Sequence, residues 1–178
     1  MNKNQDNGNH GMSDAVDNFI LRIGRFLSWA NGILIPVIVL QVILRYGFGH
    51  GLVILEELEW HLYSLAFMFG LSYAVVTNAH VRVDLLHSRF SKRTQEWIEL
   101  FGILFLLLPF IIVIFMYGVE FFHASWIHSE RSLAPMGLPC TWVIKGVIPA
   151  SFAIFALAAI SRLIKAIIFL RRKEYGND

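Results

Sequence analysis

The sequence predicts an all-α integral membrane protein with four transmembrane helices, both termini on the cytoplasmic side, and an amphipathic interfacial helix ahead of the first span. Three observations carry this. Hydrophobic residues make up 56% of the 178 residues and charged residues 16%, with mean hydropathy +0.58, whereas soluble domains carry about 25% charged residues. Four apolar stretches of about twenty residues follow one another, and nineteen helical residues reach about 28 Å, the thickness of a bilayer's hydrocarbon core. Lysine and arginine then alternate: of the 15 in the chain, twelve fall in the N-terminal segment, the connection between spans two and three, and the C-terminal end. Only Arg45, Arg131 and Lys145 fall in the other two connections. The positive-inside rule therefore places the termini and the 2–3 connection in the cytoplasm.

The totals also exclude function classes. The length leaves no room for a separate soluble catalytic domain. A net charge of +2 is no footprint for nucleic acid. The single cysteine, Cys140, rules out an internal disulfide framework and any CxxC redox or zinc pair.

Residues 1–12 are rich in Asn and Gly and are expected to be disordered; the membrane domain is expected over 13–172 and a cytoplasmic tail over 173–178. The N-terminus lacks the basic-then-apolar order of a cleavable signal, so the first span is expected to be retained. Ser13 is a candidate N-cap, with Asp14 and Asp17 placed to favour the helix dipole. Val16, Phe19, Ile20 and Ile23 recur at i, i+3, i+4, i+7 while Arg22 and Arg25 lie off that stripe. This is an amphipathic helix lying at the membrane surface and running into span one.

Span one is predicted over 26–44 and ends at Arg45-Tyr46. Its following GFGHG loosely matches a phosphate-binding loop, but no strand precedes it, so a turn is expected. Span two, over 58–76, opens on Glu56, Glu57 and Glu59 and is followed by His80, Arg82 and Asp84. The basic segment after it ends at Ser91, a candidate cap for the next helix. Span three covers 98–118 with Pro109 near its middle, where neighbouring groups must satisfy a freed carbonyl. Span four covers 142–160, includes Pro149, and continues out through Arg162, Lys165 and the final basic cluster. The five tryptophans lie near span ends, as an aromatic belt requires.

Seven histidines raise a haem or metal reading, that of a small redox membrane subunit. A bis-histidine haem needs two imidazoles facing each other inside the bundle, and only His61 lies within a span. No cofactor is expected on the residues. The acidic cluster has a solvated reading and a sharper one, an ion pair from Arg45 that locks the 1–2 hairpin; docking of an outside partner is a third. His80, Arg82 and Asp84 have two readings: a basic flank that satisfies topology, or a cluster that ties the 2–3 connection back to helix ends. Asn31, Gln41, Ser64, Ser72, Ser151 and Ser161 are read as interhelix hydrogen bonds. No Ser/His/Asp set or buried acid pair emerges, so no enzymatic activity is expected. A small bundle without a deep polar pathway reads as a partner subunit.

Specific residues sharpen this. Arg45-Tyr46, Glu56-Glu57, Gly70 and Ala79-His80-Val81-Arg82-Val83-Asp84 stand in order, followed by Ser129-Glu130-Arg131-Ser132, Gly137-Leu138-Pro139, Trp142 and Pro149. Over roughly residues 20 to 170 the chain resembles the DctQ-type small membrane subunit of TRAP transporters, the tripartite ATP-independent periplasmic carriers. The resemblance implies a scaffold subunit in a bacterial inner membrane, paired with a large permease subunit that carries substrate and sodium. It also implies delivery of an organic acid by a periplasmic binding protein, and contact with membrane lipids. Arg45, Glu56, Glu57, His80, Arg82, Asp84 and Glu130 become structural or interface residues in that picture.

Overall fold

The computed structural model describes residues 3–77 and 90–174, with side chains over 14–77 and 90–170. His80, Arg82 and Asp84, the most specific part of the resemblance, lie outside the described residues. The chain forms α1 (Lys3–Gly47), α2 (Val53–Val76), α3 (Lys92–Gly102), a π-helical turn (Ile103–Leu107), α4 (Leu108–Ile127) and α5 (Thr141–Glu174). Every element among the described residues is helical, as the apolar runs require.

Three of these helical stretches are long and apolar enough to cross a membrane: Asp14–Gly47, Lys92–Ile127 and Thr141–Leu170. The 24 residues of α2 make the remaining long helix. Glu56, Glu57, Glu59 and His61 crowd its first turns and lower its apolar content.

Helix α1 corrects one expectation: it begins at Lys3, so Ser13 lies within it rather than capping it. Extending a formed helix adds one hydrogen bond per residue, without the nucleation cost an isolated segment bears. The amphipathic segment and span one are therefore a single helix of 45 residues, about 68 Å long. The turn after it closes as expected: Phe48 and His50 donate to the Leu44 carbonyl, and Gly49 takes φ +73°, a conformation glycine adopts without steric cost.

Pro109 is accommodated by the π-helical turn just ahead of it. The Leu108 N–H reaches back five residues to the Ile103 carbonyl, so the ladder is re-registered where the proline's missing N–H would break it. Ser91 caps α3 as expected, its Oγ accepting from the Thr94 N–H at 3.3 Å.

The C-terminal helix α5 is the axis of the bundle, packing against α1, α2, α3 and α4. A third of its apolar window is buried (33%), against 6% for α1 and 11% for the α3–α4 stretch. The core consists of Phe152, Phe155, Ala158 and Ala159 of α5 with Ile20, Val75, Ile103 and Ile111. Small residues set the approach distances, as membrane helix packing requires. A Cβ on Gly118 would stand 3.1 Å from Ile148, and one on Gly24 would stand 2.6 Å from the Tyr73 ring.

Candidate functional site

Polar side chains gather at the two ends of the bundle, and each end ties distant segments together. At the end where α1 meets α2 and α4 meets α5, the turn of the first hairpin is pinned by Gln41. That side chain is buried on α1 and accepts from the Leu52 N–H at 3.3 Å.

Beside it, Glu57 closes the loop between α4 and α5. Its Oε1 accepts from the Ser132 hydroxyl and its Oε2 from the Leu138 N–H at 2.6 Å. The loop folds around this carboxylate: Ser132 N–H donates to the Leu138 carbonyl and Ala134 N–H to the Ser132 Oγ. A Cβ on Gly137 would lie 2.6 Å from Glu57 Oε1, so only glycine lets the acid seat there. Ser129 and Met136 hold left-handed backbone, φ 46° and 66°, conformations that persist only where surrounding contacts over-determine them. Glu130 pairs with Lys145, whose ammonium also lies 4.1 Å from the centre of the Phe121 ring. Trp126 and Trp142 meet edge to face at 4.3 Å and buttress the same end.

The expected ion pair between Arg45 and the acidic cluster does not form. Arg45 is exposed and has no carboxylate partner among the described residues. Glu57 is already saturated by loop donors 75 and 81 residues away, and Glu56 is exposed. His61 turns back on its own helix, Nδ1 donating to the Glu57 carbonyl at 2.5 Å.

At the opposite end, α5 holds two cations. The Arg162 guanidinium grips Glu99 with two bonds, Nε to Oε1 at 2.7 Å and Nη2 to Oε2 at 2.6 Å. It also reaches both oxygens of Glu96 at 3.1 Å. One helical turn on, Lys165 holds Asp14 at 2.9 Å and Asp17 at 2.5 Å, and the Ser161 hydroxyl donates to Asp17 at 2.6 Å. Asp14 and Asp17, expected to serve the helix dipole, instead fasten α1 to α5. This layer was missed in the sequence, where Arg162 and Lys165 count only as positive-inside flanks. The available signal was that four acids, Asp14, Asp17, Glu96 and Glu99, belong to the same predicted end.

Of the other polar residues read as interhelix bonds, Ser151 donates to the Ile148 carbonyl of its own helix and Asn31 is exposed.

The geometry predicts an acid-sensitive loop. The Ser132 hydroxyl and the Leu138 amide hold the Glu57 carboxyl below its usual value of 4.5, and the Lys145 ammonium does the same for Glu130. Depressed values mean that both tethers are fully present above about pH 4.5 and are lost as pH falls through the lowered values. Limited proteolysis of residues 129–140 should accelerate only at pH below that window. A loop equally protected from pH 7 to pH 3 would contradict the assignment.

The described residues thus show two fastening layers, one at each end of the bundle. The family model described as "Tripartite ATP-independent periplasmic transporters, DctQ component" matches residues 34–168, about three quarters of the chain. A relative from Haemophilus influenzae, bearing the name "Putative TRAP transporter small permease protein", is 29% identical over 142 residues, covering 78% of this chain and 83% of the relative. No solved structure matches.

Proposed function

The chain belongs to the DctQ family of tripartite ATP-independent periplasmic transporters, and from that premise we propose that it is the small scaffold subunit of a sodium-coupled importer of an organic acid. Membership makes it a membrane transport component. In this reading it pairs with a large permease subunit that carries substrate and ion, receives a periplasmic binding protein transiently, and sits in the inner membrane amid lipid. It does no chemistry of its own.

The observation that carries the reading is the pair of fastening layers on a central helix. Each layer links segments far apart in sequence, which suits a brace rather than a moving part. We place α2 as a fourth span: its acids are confined to the Glu57 end, while Val75 near its other end packs in the core with Ile20. It therefore traverses the same thickness as α1 and α5. With four crossings the charge distribution sets both termini in the cytoplasm. The Arg162 layer is then cytoplasmic and the Glu57 loop periplasmic. That loop presents Leu133 and Met136, at 102% and 83% exposure. Apolar side chains held out on a tethered loop suit reception of a binding protein.

The test is a mild-detergent pull-down of tagged chain from its native membrane, with mass spectrometry and an uptake assay. The expected result is recovery of a large, many-helix membrane protein, with uptake only when both are present. Uptake by this chain alone, or recovery with redox subunits, would overturn the proposal.

A further inference from the structure

An open groove lies where α1, α2 and α5 meet. It has a volume of about 580 Å³, within the range of ligand pockets. Helix α1 contributes Phe19, Ile23, Phe26 and Leu27, α2 contributes Phe69, and α5 contributes Ile154. From Phe19 to Leu27 the groove runs about 12 Å along α1, away from the Arg162 layer and toward the middle of the bundle. Its walls are hydrocarbon except at one point, Arg22.

Arg22 distinguishes this groove from an ordinary apolar face. Two of the cations at this end, Arg162 and Lys165, are neutralised by carboxylates of the same chain. Arg22 and its neighbour Arg25 are exposed and have no carboxylate partner among the described residues. Helical side chains slant toward the N-terminus, so the Arg22 head lies toward the Phe19 end of the groove, with its stem along the apolar wall. A cation at one end of an apolar slot running into the membrane matches one amphiphile: a phosphate head with an acyl tail.

We propose that this groove binds one anionic phospholipid, its phosphate on Arg22 and an acyl chain along Ile23, Leu27 and Phe69. A guanidinium offers the paired donors a phosphate accepts, and anionic headgroups add attraction that a zwitterionic lipid lacks. Seated there, the lipid would lie against α1, α2 and α5 together. The leaflet follows from the cytoplasmic N-terminus proposed above; the site itself does not depend on that reading.

The experiment uses the full chain in mild detergent, titrated with phosphatidylglycerol or phosphatidylcholine and read by native mass spectrometry. Wild type should retain one phosphatidylglycerol in preference to phosphatidylcholine. Arg22→Gln should lower its retention roughly fivefold, the worth of one surface cation near anionic lipid, and remove the preference. Arg22→Lys should keep most of the preference, and Arg131→Gln in the α4–α5 loop should change nothing. Ile23→Trp, which fills the slot, should reduce both lipids together. Equal retention of the two lipids by wild type would overturn the proposal, since that is annular lipid without headgroup recognition. So would an Arg22→Gln variant that binds as wild type does. Because the binding is read on the isolated chain, its failure is independent of whether a large subunit is recovered.

Discussion

Replacing Arg162 with alanine is expected to be the most destabilising single change at its end of the bundle. The guanidinium joins Glu96 and Glu99 of α3 to α5, and all three side chains are largely enclosed, at 17%, 20% and 21% exposure. Removing the cation leaves two neighbouring carboxylates without the charge that Arg162 sets between them. Breaking a fully buried pair costs about 3–5 kcal/mol. The remaining exposure here lets water share that load, so a loss of about 2–4 kcal/mol follows, a shift in melting temperature on the order of 10 °C. Thermal unfolding in detergent measures it. Arg162→Met combined with Glu96→Gln and Glu99→Gln should recover most of the loss, because the penalty comes from the stranded charges rather than from the missing attraction. An Arg162→Ala protein as stable as wild type would show that the layer contributes nothing to the brace.

Glu57→Ala should release the α4–α5 loop, and Gly137→Ala should do the same by a different route. The first deletes the acceptor of both loop bonds and leaves the Leu138 N–H without its partner, a cost that falls on any enclosed donor. The second puts a methyl group against the Ser132 side chain and 2.6 Å from Glu57 Oε1, so the carboxylate cannot seat. Each variant should insert normally and lose hydrogen-exchange protection at residues 132–138. The double variant should be no worse than either single one, since both act on one contact. Additive losses would mean that Gly137 serves some purpose other than admitting Glu57. If the loop also receives the binding protein, uptake by the assembled complex should fall in parallel with the loss of protection.

Much of this architecture is readable residue by residue. The apolar runs announce the helices, Ser91 announces a cap and Pro109 a disturbance, because each rests on local stereochemistry that travels with the sequence. Glu57 was also legible as a structural residue, since a carboxylate at a helix mouth demands a partner. Its partner was not. Arg45 is the nearest cation in the chain order of that hairpin, yet the carboxylate is filled by a hydroxyl and an amide from a loop about eighty residues downstream. Nor was the Arg162 layer legible, because charge counting records the sign of a flank and not which acids of another helix lie opposite.

Composition and periodicity therefore determined by themselves that this is a helical membrane protein, because how a segment partitions between water and lipid is decided by that segment alone. The order of a few motif residues carried the resemblance to the DctQ family, to which the family model assigns the chain. Only the tertiary structure decided that α5 is the axis, that α1 is one unbroken helix, and that Glu57, Arg162 and Lys165 are the fasteners. Those outcomes depend on which helix faces approach one another. Ala158, Ala159 and Gly118 permit that approach, but they state no partner until the bundle has closed.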